Sequence, residues 1–379
     1  MKMHFDVVII GAGIMGASLS YYLTKLGLKN IALCEQGIPP GNGATHKSGG
    51  FIRIFHENEW YTKRAVESYD TYADWGNKIG GSCGFKKTGF SFITDSTRSD
   101  QLRANAKKVN RYCSQVSVLS PDEFQQFQPD FSLEGIGAIV YEPNGGYADP
   151  AKTALTFIKQ SEKKGMKLLE GVKVERILHH RKKITGIQTN IGSIRADKYV
   201  VANNIWANFL LEELGLRLPM FKKSIGLGFI EWDKEKSVSH LTSCIDETIG
   251  TYFRIFSNYR LLFGVQMSHS GALLQDRSYL DYGDMQIAKE KLVGRLPLLH
   301  KAEYLGSRLS FDSYTSDGLP IIGVHPEFDD LYLMVGFNGS GFKIAPSIGL
   351  ILAREIFHNE RMAELNNTRM ERFNKQSPI

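Results

Sequence analysis

The chain has 379 residues, of which 42% are apolar and 23% are charged, and its net charge is +6. This length accommodates two domains, and the absence of a long basic block argues against a nucleic-acid-binding protein. The four cysteines form no C-x-x-C pair, which argues against a zinc or other metal site and a disulfide framework, and favours a reducing compartment. No run approaches the roughly 20 apolar residues of a membrane span, so the sequence predicts a soluble, cytoplasmic protein.

The stretch 5–35 has the pattern of a βαβ unit that binds a dinucleotide. A β-branched apolar run over 5–10 predicts a strand buried on both faces, 17–26 predicts a helix, and 31–33 predicts a second strand. The motif Gly11-Ala12-Gly13-Ile14-Met15-Gly16 stands between the first strand and the helix.

Each part of this motif has a physical role in holding a pyrophosphate. Gly11 permits the tight turn, Gly13 lets the phosphates approach the backbone, and Gly16 lets the helix pack closely on the strand. The helix N-terminus favours an anion, and Glu35 is placed to hydrogen-bond a ribose hydroxyl. An acid at that position favours an unphosphorylated ribose, and therefore FAD or NAD over NADP.

The rest of the chain alternates between helical and strand-like stretches. Small residues crowd the loop over 44–50, which predicts backbone held close to a large ligand. The sequence predicts helices over 61–79, 98–115, 151–164, 287–296 and 344–357, and strands over 85–94 (paired around Gly89), 135–141, 166–196 (an antiparallel meander), 199–202, 221–274, 319–323 and 331–336.

Glycine-rich loops of the nucleotide-binding kind lie at both ends of the chain, over 11–16 and 336–342. The first βαβ unit therefore needs the C-terminal strands and helix to complete its layer. We predict a discontinuous cofactor domain interrupted by a substrate domain, the first formed by 1–80, 140–218 and 308–379 and the second by 81–139 and 219–307.

Five motifs in register resemble those of the D-amino-acid-oxidase-like FAD enzymes, most closely the sarcosine oxidase and glycine oxidase branch. The resemblance spans nearly the whole chain. The motifs are the residues of 11–16, 44–53, 145–150 (Gly-Gly-Tyr-Ala-Asp-Pro), 317–323 (Asp-Gly-Leu-Pro-Ile-Ile-Gly) and 336–343 (Gly-Phe-Asn-Gly-Ser-Gly-Phe-Lys).

This resemblance implies an α/β fold, with a Rossmann-type FAD-binding domain and an inserted substrate domain whose large, mostly antiparallel sheet covers the flavin. It implies hydride transfer to flavin N5 from an amino acid or N-methyl amino acid, giving an imine that hydrolyses. It also implies cofactor contacts at Gly11, Gly13, Ile14, Met15, Gly16, Glu35, Gln36, Ala44, Thr45, His46, Ser48, Gly49, Gly50, Val174, Asn203, Trp206, Gly336, Asn338, Gly339, Ser340, Gly341, Phe342 and Lys343.

Arg53 and Lys343 are the first candidates for substrate contact. Arg53 stands among apolar residues just after the 44–50 loop, where an arginine is either a surface residue of an edge strand or a buried anion clamp. Lys343 opens the last predicted helix, where a cation without an anion is disfavoured. The resemblance implies that both cations bind the substrate carboxylate, for which the guanidinium fork is suited.

Tyr252 and His269 approximately match a tyrosine and a histidine that the relatives place near the substrate. His269 is either a structural histidine or a residue that orients the amine and keeps it neutral. A neutral amine is needed because the nitrogen lone pair must be free for oxidation.

Three departures from the family pattern affect the chemistry. Ser310 replaces the cysteine that carries covalent flavin, so we predict non-covalent FAD, with a nearby histidine, His46, as the alternative attachment point. Gln266 replaces the lysine associated with oxygen activation, and the loss of this positive charge favours a dehydrogenase over an oxidase. Asn204 replaces a glycine near the cofactor, where it either crowds FAD or adopts a left-handed turn.

We therefore predict an FAD-dependent oxidoreductase acting on the C–N bond of an amino acid, with O2 or another carrier as electron acceptor, as a monomer or an oligomer. Two alternatives stay open. In the first, the electron donor is a non-amino-acid amine or a hydroxy acid. In the second, the chain is a flavoprotein subunit that binds FAD structurally.

Overall fold

The computed structural model describes residues 3–113, 115–233, 235, 241–257, 259–266 and 280–375. Two large sheets dominate the described part of the chain. Their strands come from alternating stretches of the sequence, so neither sheet is built from one continuous segment.

The first sheet has a parallel centre in the order β19-β12-β1-β2-β9. β10 and β11 extend it as an antiparallel pair beside β12, and β18 pairs antiparallel with β19. Its strands are β1 Met3–Ile10, β2 Ile31–Glu35, β9 Lys167–Glu170, β10 Val174–His180, β11 Lys183–Thr189, β12 Gly192–Val201, β18 Ile321–His325 and β19 Phe328–Val335.

Alternate residues of β1 bury themselves on opposite faces of this sheet, as expected of a strand covered on both sides. Val7 and Ile9 pack with the helices α1, α2, α6 and α9, whereas Val8 and Ile10 pack with β10, β11 and α7. The helices are α1 Ile14–Lys25, α2 Glu59–Ala73, α3 Trp75–Lys78, α4 Ser99–Val109, α5 Pro121–Phe127, α6 Pro150–Glu162, α7 Ala207–Leu211, α8 Tyr282–Arg295 and α9 Gly341–His358.

The second sheet is mostly antiparallel and has the order β17-β13-β16-β15-β14-β5-β7-β6. One of its faces packs on α5 and α8, and α4 covers another part of it. Its strands are β5 Phe90–Thr94, β6 Ser117–Leu119, β7 Ala138–Glu142, β13 Met220–Glu231, β14 Ser243–Asp246, β15 Thr251–Ser257, β16 Arg260–Val265 and β17 Glu303–Thr315, while β3 Phe51–Ile52, β4 Lys86–Lys87 and β8 Gly146–Tyr147 form a small third sheet.

Two predicted elements are wrong in detail, and one observed strand was missed. The strands around Gly89 do not pair with each other, because β4 joins β8 whereas β5 lies between β14 and β7. The first part of the predicted meander, β9, runs parallel to β2. The long strand β17 was not predicted at all.

Proline at position 346 shapes the start of α9. Proline has no N–H, so the carbonyl of Phe342, four residues earlier, loses its helical partner. The Tyr72 hydroxyl of α2 donates to this carbonyl at 2.6 Å, and the Ser347 N–H, one residue on, donates to Ser68 Oγ of the same helix at 3.0 Å. Helix α2 therefore holds the first turn of α9 in place.

Replacing Tyr72 by phenylalanine is expected to destabilise the fold by about 1–3 kcal/mol, because a buried carbonyl is left without a donor. The measurement is the midpoint of denaturant unfolding. Tyr282→Phe is the matched control, since Tyr282 is 66% exposed. Equal midpoints for the two variants would contradict the role assigned to the Tyr72 hydroxyl.

Among the described residues, no helix has the length and apolar character needed to cross a bilayer.

Candidate functional site

A cleft of about 540 Å³ opens at the carboxyl ends of β1 and β2. Six separated parts of the sequence contribute to its wall, which is why sequence spacing alone does not reveal it. Fifteen predicted cofactor contacts line it, namely Gly11, Gly13, Ile14, Met15, Glu35, Gln36, Ala44, Thr45, Ser48, Val174, Asn203, Trp206, Gly339, Gly341 and Phe342.

The other predicted contacts shape the surroundings of the cleft. A Cβ atom at Gly16 would lie 2.0 Å from the Gly11 carbonyl oxygen, so glycine is required for the packing of α1 on β1. Gly50 has φ +71°, and a Cβ there would lie 2.2 Å from the Ala148 carbonyl oxygen. His46 is exposed. Gly49, Gly336, Asn338, Ser340 and Lys343 also lie outside the cleft wall.

The N-terminus of α1 is suited to bind an anion. Its first turn carries no acidic side chain, and the Thr45 hydroxyl accepts a hydrogen bond from the Ile14 N–H at 2.9 Å. Gly13 and Met15 line the cleft beside it. Free N–H groups and the helix dipole favour the phosphates of a nucleotide at such a position.

The carboxylate of Glu35, at the end of β2, is held in place by two backbone N–H groups. One carboxylate oxygen accepts from the Ala12 N–H and the other from the Gly37 N–H, both at 3.1 Å. Gly41 leaves room for this carboxylate, because a Cβ at that position would lie 2.9 Å from Oε1. A carboxylate has further acceptor sites, which suit ribose hydroxyls. The donors and acceptors of the cleft therefore fit FAD.

Asn204 adopts the left-handed conformation, with φ +56°, as one of the two alternatives for this position predicts. Its Oδ1 accepts from the Ser313 N–H at 3.1 Å. Asp312, also on β17, accepts from the Gly339 N–H at 3.0 Å, and burial raises the pKa of its carboxyl group. The first contact attaches the turn at Asn204 to β17, and the second attaches the 336–343 loop to the same strand. Asp312 was not predicted to line the cleft, because the strand that carries it, β17, was not predicted.

Arg53 and Lys343 come together beside the cleft. Arg53 Nη1 donates to the Phe55 carbonyl, its guanidinium lies 5.4 Å from the ring centre of Phe90, and its buried Nε has no hydrogen-bond partner among the described residues. Burial lowers the pKa of Arg53 to about 10, against the opposing effects of Glu142, Glu57 and Glu247.

Lys343 is only 6% exposed, and no partner for its ammonium group occurs in the described part of the chain. Burial and the neighbouring Arg53 lower the pKa of Lys343 well below its ordinary value, with Asp312 and Glu142 opposing them. Two basic side chains thus lie buried together, and neither forms a salt bridge among the described residues.

Two further residues of this cluster escaped sequence reasoning. Glu142 accepts from the N–H groups of Ile54 and Phe55, both at 2.7 Å, and burial raises its pKa. Burial, Arg53 and Lys343 lower the pKa of His56 well below its ordinary value, so its ring is neutral at pH 7. Glu142 begins the stretch before the 145–150 motif, a signal that could have identified it.

β15 brings Tyr252 and Arg254 against the loop that precedes Arg53. The ring of Tyr252 contacts Phe51 edge to face at 5.7 Å, and burial raises its pKa. Arg254 Nε donates to the Gly49 carbonyl at 2.5 Å. His269 lies outside the described residues.

Gln266 lines a second cavity of about 220 Å³, together with residues of α8 such as Ile287 and Lys291. It does not line the main cleft. Within the described ranges, no group of three or more His, Cys, Asp or Glu side chains is placed to hold a metal ion.

Comparison with known proteins gives relatives of low identity over nearly the whole chain. Monomeric sarcosine oxidase of Bacillus sp. (strain B-0618) is 26% identical over 93% of this chain and 92% of its own length. Mitochondrial dimethylglycine dehydrogenase of Rattus norvegicus is 24% identical over 98% of this chain, but the match covers only 45% of that protein. The chain therefore spans less than half the length of this second relative.

Solved structures share the fold. L-proline dehydrogenase from P. horikoshii superposes with a TM-score of 0.89 at 23% identity, covering 99% of both chains. Glycine oxidase from Geobacillus kaustophilus gives a TM-score of 0.84 at 22% identity, covering 97% of this chain and 99% of that one. The predicted fold class is confirmed.

The family model described as "DAO: FAD dependent oxidoreductase" matches residues 6–355. This match confirms the predicted cofactor, FAD, and the predicted oxidoreductase class. The chain belongs to the DAO family of FAD-dependent oxidoreductases.

Proposed function

We propose that the chain oxidises the C–N bond of an amino acid or N-methyl amino acid. The observation that supports this donor class is the buried pair of basic side chains, Arg53 and Lys343, next to the 336–343 loop. Burying the Arg53 guanidinium without a paired anion is costly, and a bound carboxylate would offset that cost. A guanidinium fork also binds a carboxylate through two parallel hydrogen bonds.

In this proposal the cleft holds FAD along its predicted contacts. The N-terminus of α1 binds the pyrophosphate, Glu35 binds the adenosine ribose, and the N–H groups of the 336–343 loop face the flavin. Bound FAD supplies the two-electron oxidation of the substrate C–N bond. Arg53 and Lys343 orient the substrate, and Tyr252 and Phe51 exclude water from it. Ser310 and the exposed His46 support non-covalent attachment.

The division into a cofactor domain (1–80, 140–218 and 308–379) and a substrate domain (81–139 and 219–307) stays part of this proposal. A cytoplasmic location does too, supported by the free thiols of all four cysteines.

A dehydrogenase that passes electrons to a carrier other than O2 is the second candidate. It is favoured by Gln266, which carries no charge and lines the cavity beside α8 instead of the main cleft. A positive charge near the flavin would stabilise reduced oxygen species electrostatically. Gln266 carries no charge and does not line the main cleft, so it offers no such stabilisation.

The test is anaerobic mixing of the FAD-loaded protein with N-methylated, D- and L-amino acids, with hydroxy acids and with amines that lack a carboxylate. We expect one class of amino acid to bleach the flavin absorbance near ~450 nm, which oxidised flavin cofactors share. Bleaching only by hydroxy acids or carboxylate-free amines would contradict the proposed donor. Readmitting air then separates an oxidase, which recovers its colour quickly, from a dehydrogenase.

A further inference from the structure

Lys343 occupies a position that is unfavourable for a positive charge. It is the third residue of α9 (Gly341–His358), in the turn where the helix dipole is positive. Its side chain is 94% buried, and no hydrogen-bond or ion-pair partner for its nitrogen occurs among the described residues. The position therefore disfavours an ammonium ion and tolerates a neutral amine.

The charged groups that face Lys343 from the neighbouring elements act in both directions: Arg53 adds to this effect, whereas Asp312 and Glu142 oppose it. Arg53 and His56 approach from the segment after β3, Glu142 from the end of β7, and Asp312 from β17. Arg53, whose pKa is lowered only to about 10, keeps its charge at pH 7, and His56 is neutral. Both carboxylates are engaged by backbone N–H groups, those of residues 54 and 55 for Glu142 and those of residues 313 and 339 for Asp312. The buried Nε of Arg53, by contrast, has no hydrogen-bond partner among the described residues.

We propose that Lys343 is a neutral amine in the resting enzyme and accepts the proton that the substrate ammonium group must lose before its C–N bond is oxidised. This inference rests on the proposed function. The substrate N–H bond breaks and its electron pair stays on the substrate nitrogen. The lone pair of Lys343 Nζ forms the new N–H bond, so no electron is gained or lost by the protein.

The product of this transfer explains why two cationic residues adjoin one carboxylate site. An amino acid arrives as a zwitterion, with one positive and one negative charge. After the transfer its carboxylate lies between the Arg53 guanidinium and a Lys343 ammonium ion, and the total charge is unchanged. Lys343 is then a base before the transfer and part of the carboxylate clamp after it.

The pH dependence has a definite sign. Because the pKa of Lys343 is lowered, the neutral amine is present above that pKa, and the proton acceptor is lost as the pH falls through it. A clamp that is charged throughout would show the opposite dependence, with binding lost only as the pH rises towards the ordinary pKa of lysine.

The first test is the binding of propionate, a carboxylate without nitrogen, to the FAD-loaded enzyme at pH 8. Flavin absorbance reports occupancy, and a pH-indicator dye in weakly buffered solution reports protons. We expect the wild type to take up about one proton per bound propionate, because the anion draws a proton onto Lys343. Lys343→Arg should bind propionate without uptake, since arginine is already charged.

Three results would overturn the proposal. The first is propionate binding by the wild type without proton uptake, and the second is no propionate binding by an enzyme that amino acids reduce. The third is uptake that persists in Lys343→Arg but disappears in Glu142→Gln, which would assign the proton to Glu142.

The second test is anaerobic flavin reduction by the reactive amino acid at pH 7. We expect Lys343→Arg to lower the reduction rate constant by at least ~100-fold, the effect of losing a proton acceptor, while propionate affinity changes far less. A wild-type rate in Lys343→Arg would show that positive charge alone suffices. An enzyme that takes up the proton with propionate but is reduced by no amino acid would overturn the proposed function instead.

Discussion

Arg53→Met is expected to lower kcat/KM for the reactive amino acid by about 10²–10³-fold. Removing one member of a buried charged pair costs about 2–5 kcal/mol, and each 1.4 kcal/mol is a factor of ten. Most of the loss should appear in KM, because the guanidinium binds the carboxylate before and during the reaction. The measurement is anaerobic flavin reduction at several substrate concentrations.

Arg260→Met is the matched control, since Arg260 is partly exposed and pairs with Glu231 on the neighbouring strand of the second sheet. Arg53→Lys should give an intermediate loss, because it keeps the charge but not the fork. Unchanged kinetics in Arg53→Met would exclude a carboxylate clamp at this position and would favour a donor without a carboxylate.

Arg369→Met is expected to destabilise the fold by about 3–5 kcal/mol, the cost of leaving one buried charge unpaired. Arg369 donates to both carboxylate oxygens of Glu355, each at 2.6 Å, and both side chains are at most 5% exposed. The pair joins the C-terminal segment to α9. Gly323 makes room for it, because a Cβ there would lie 2.1 Å from Arg369 Nη1.

The midpoint of denaturant unfolding measures this loss, with Arg361→Met as its control. Arg361 also pairs with a glutamate, Glu371, but its side chain is 55% exposed. An exposed ion pair contributes little to stability, so the control should stay close to the wild type. Similar midpoints for both variants would show that the buried pair does not hold the C-terminal segment.

The sequence predicts the N-terminal unit well because its signals are local. The strand, the glycines, the helix and Glu35 lie within one short stretch, and each has a physical reason to be there. The observed β1, α1 and β2 begin and end within a few residues of the predicted elements. Five predicted cofactor contacts of this stretch line the cleft, namely Gly11, Gly13, Ile14, Met15 and Glu35.

β17 was missed because its sequence does not alternate regularly. It crosses from a mostly exposed first half to a buried second half, and Gly306 interrupts it. Its partner along the sheet is β13, which lies about eighty residues earlier and pairs with it from Met220↔Thr315 to Glu231↔Glu303. No local pattern shows such pairing, and Asp312 was therefore left out of the cleft.

His56 and Glu142 were missed for a related reason. Each stands at the end of a mostly apolar stretch, just before polar or turn-forming residues, so an interpretation as an ordinary turn residue was equally consistent with the sequence. Their importance comes from three-dimensional proximity to Arg53 and Lys343, and from burial that changes their protonation. Proximity across elements is the part of a site that spacing does not encode.

The discontinuous first sheet also determines when this protein can acquire its cofactor. β1 pairs with β12, from Met3↔Ile194 to Ile10↔Val201, and β12 in turn needs β19, whose Leu331 pairs with Tyr199. The phosphate-binding turn, residues 11–16, is synthesised early, whereas β12 and β19, which complete the sheet beside it, are synthesised much later. FAD capture therefore waits until the chain has been synthesised as far as β19, and until then the nascent chain presents apolar strands that depend on long-range closure.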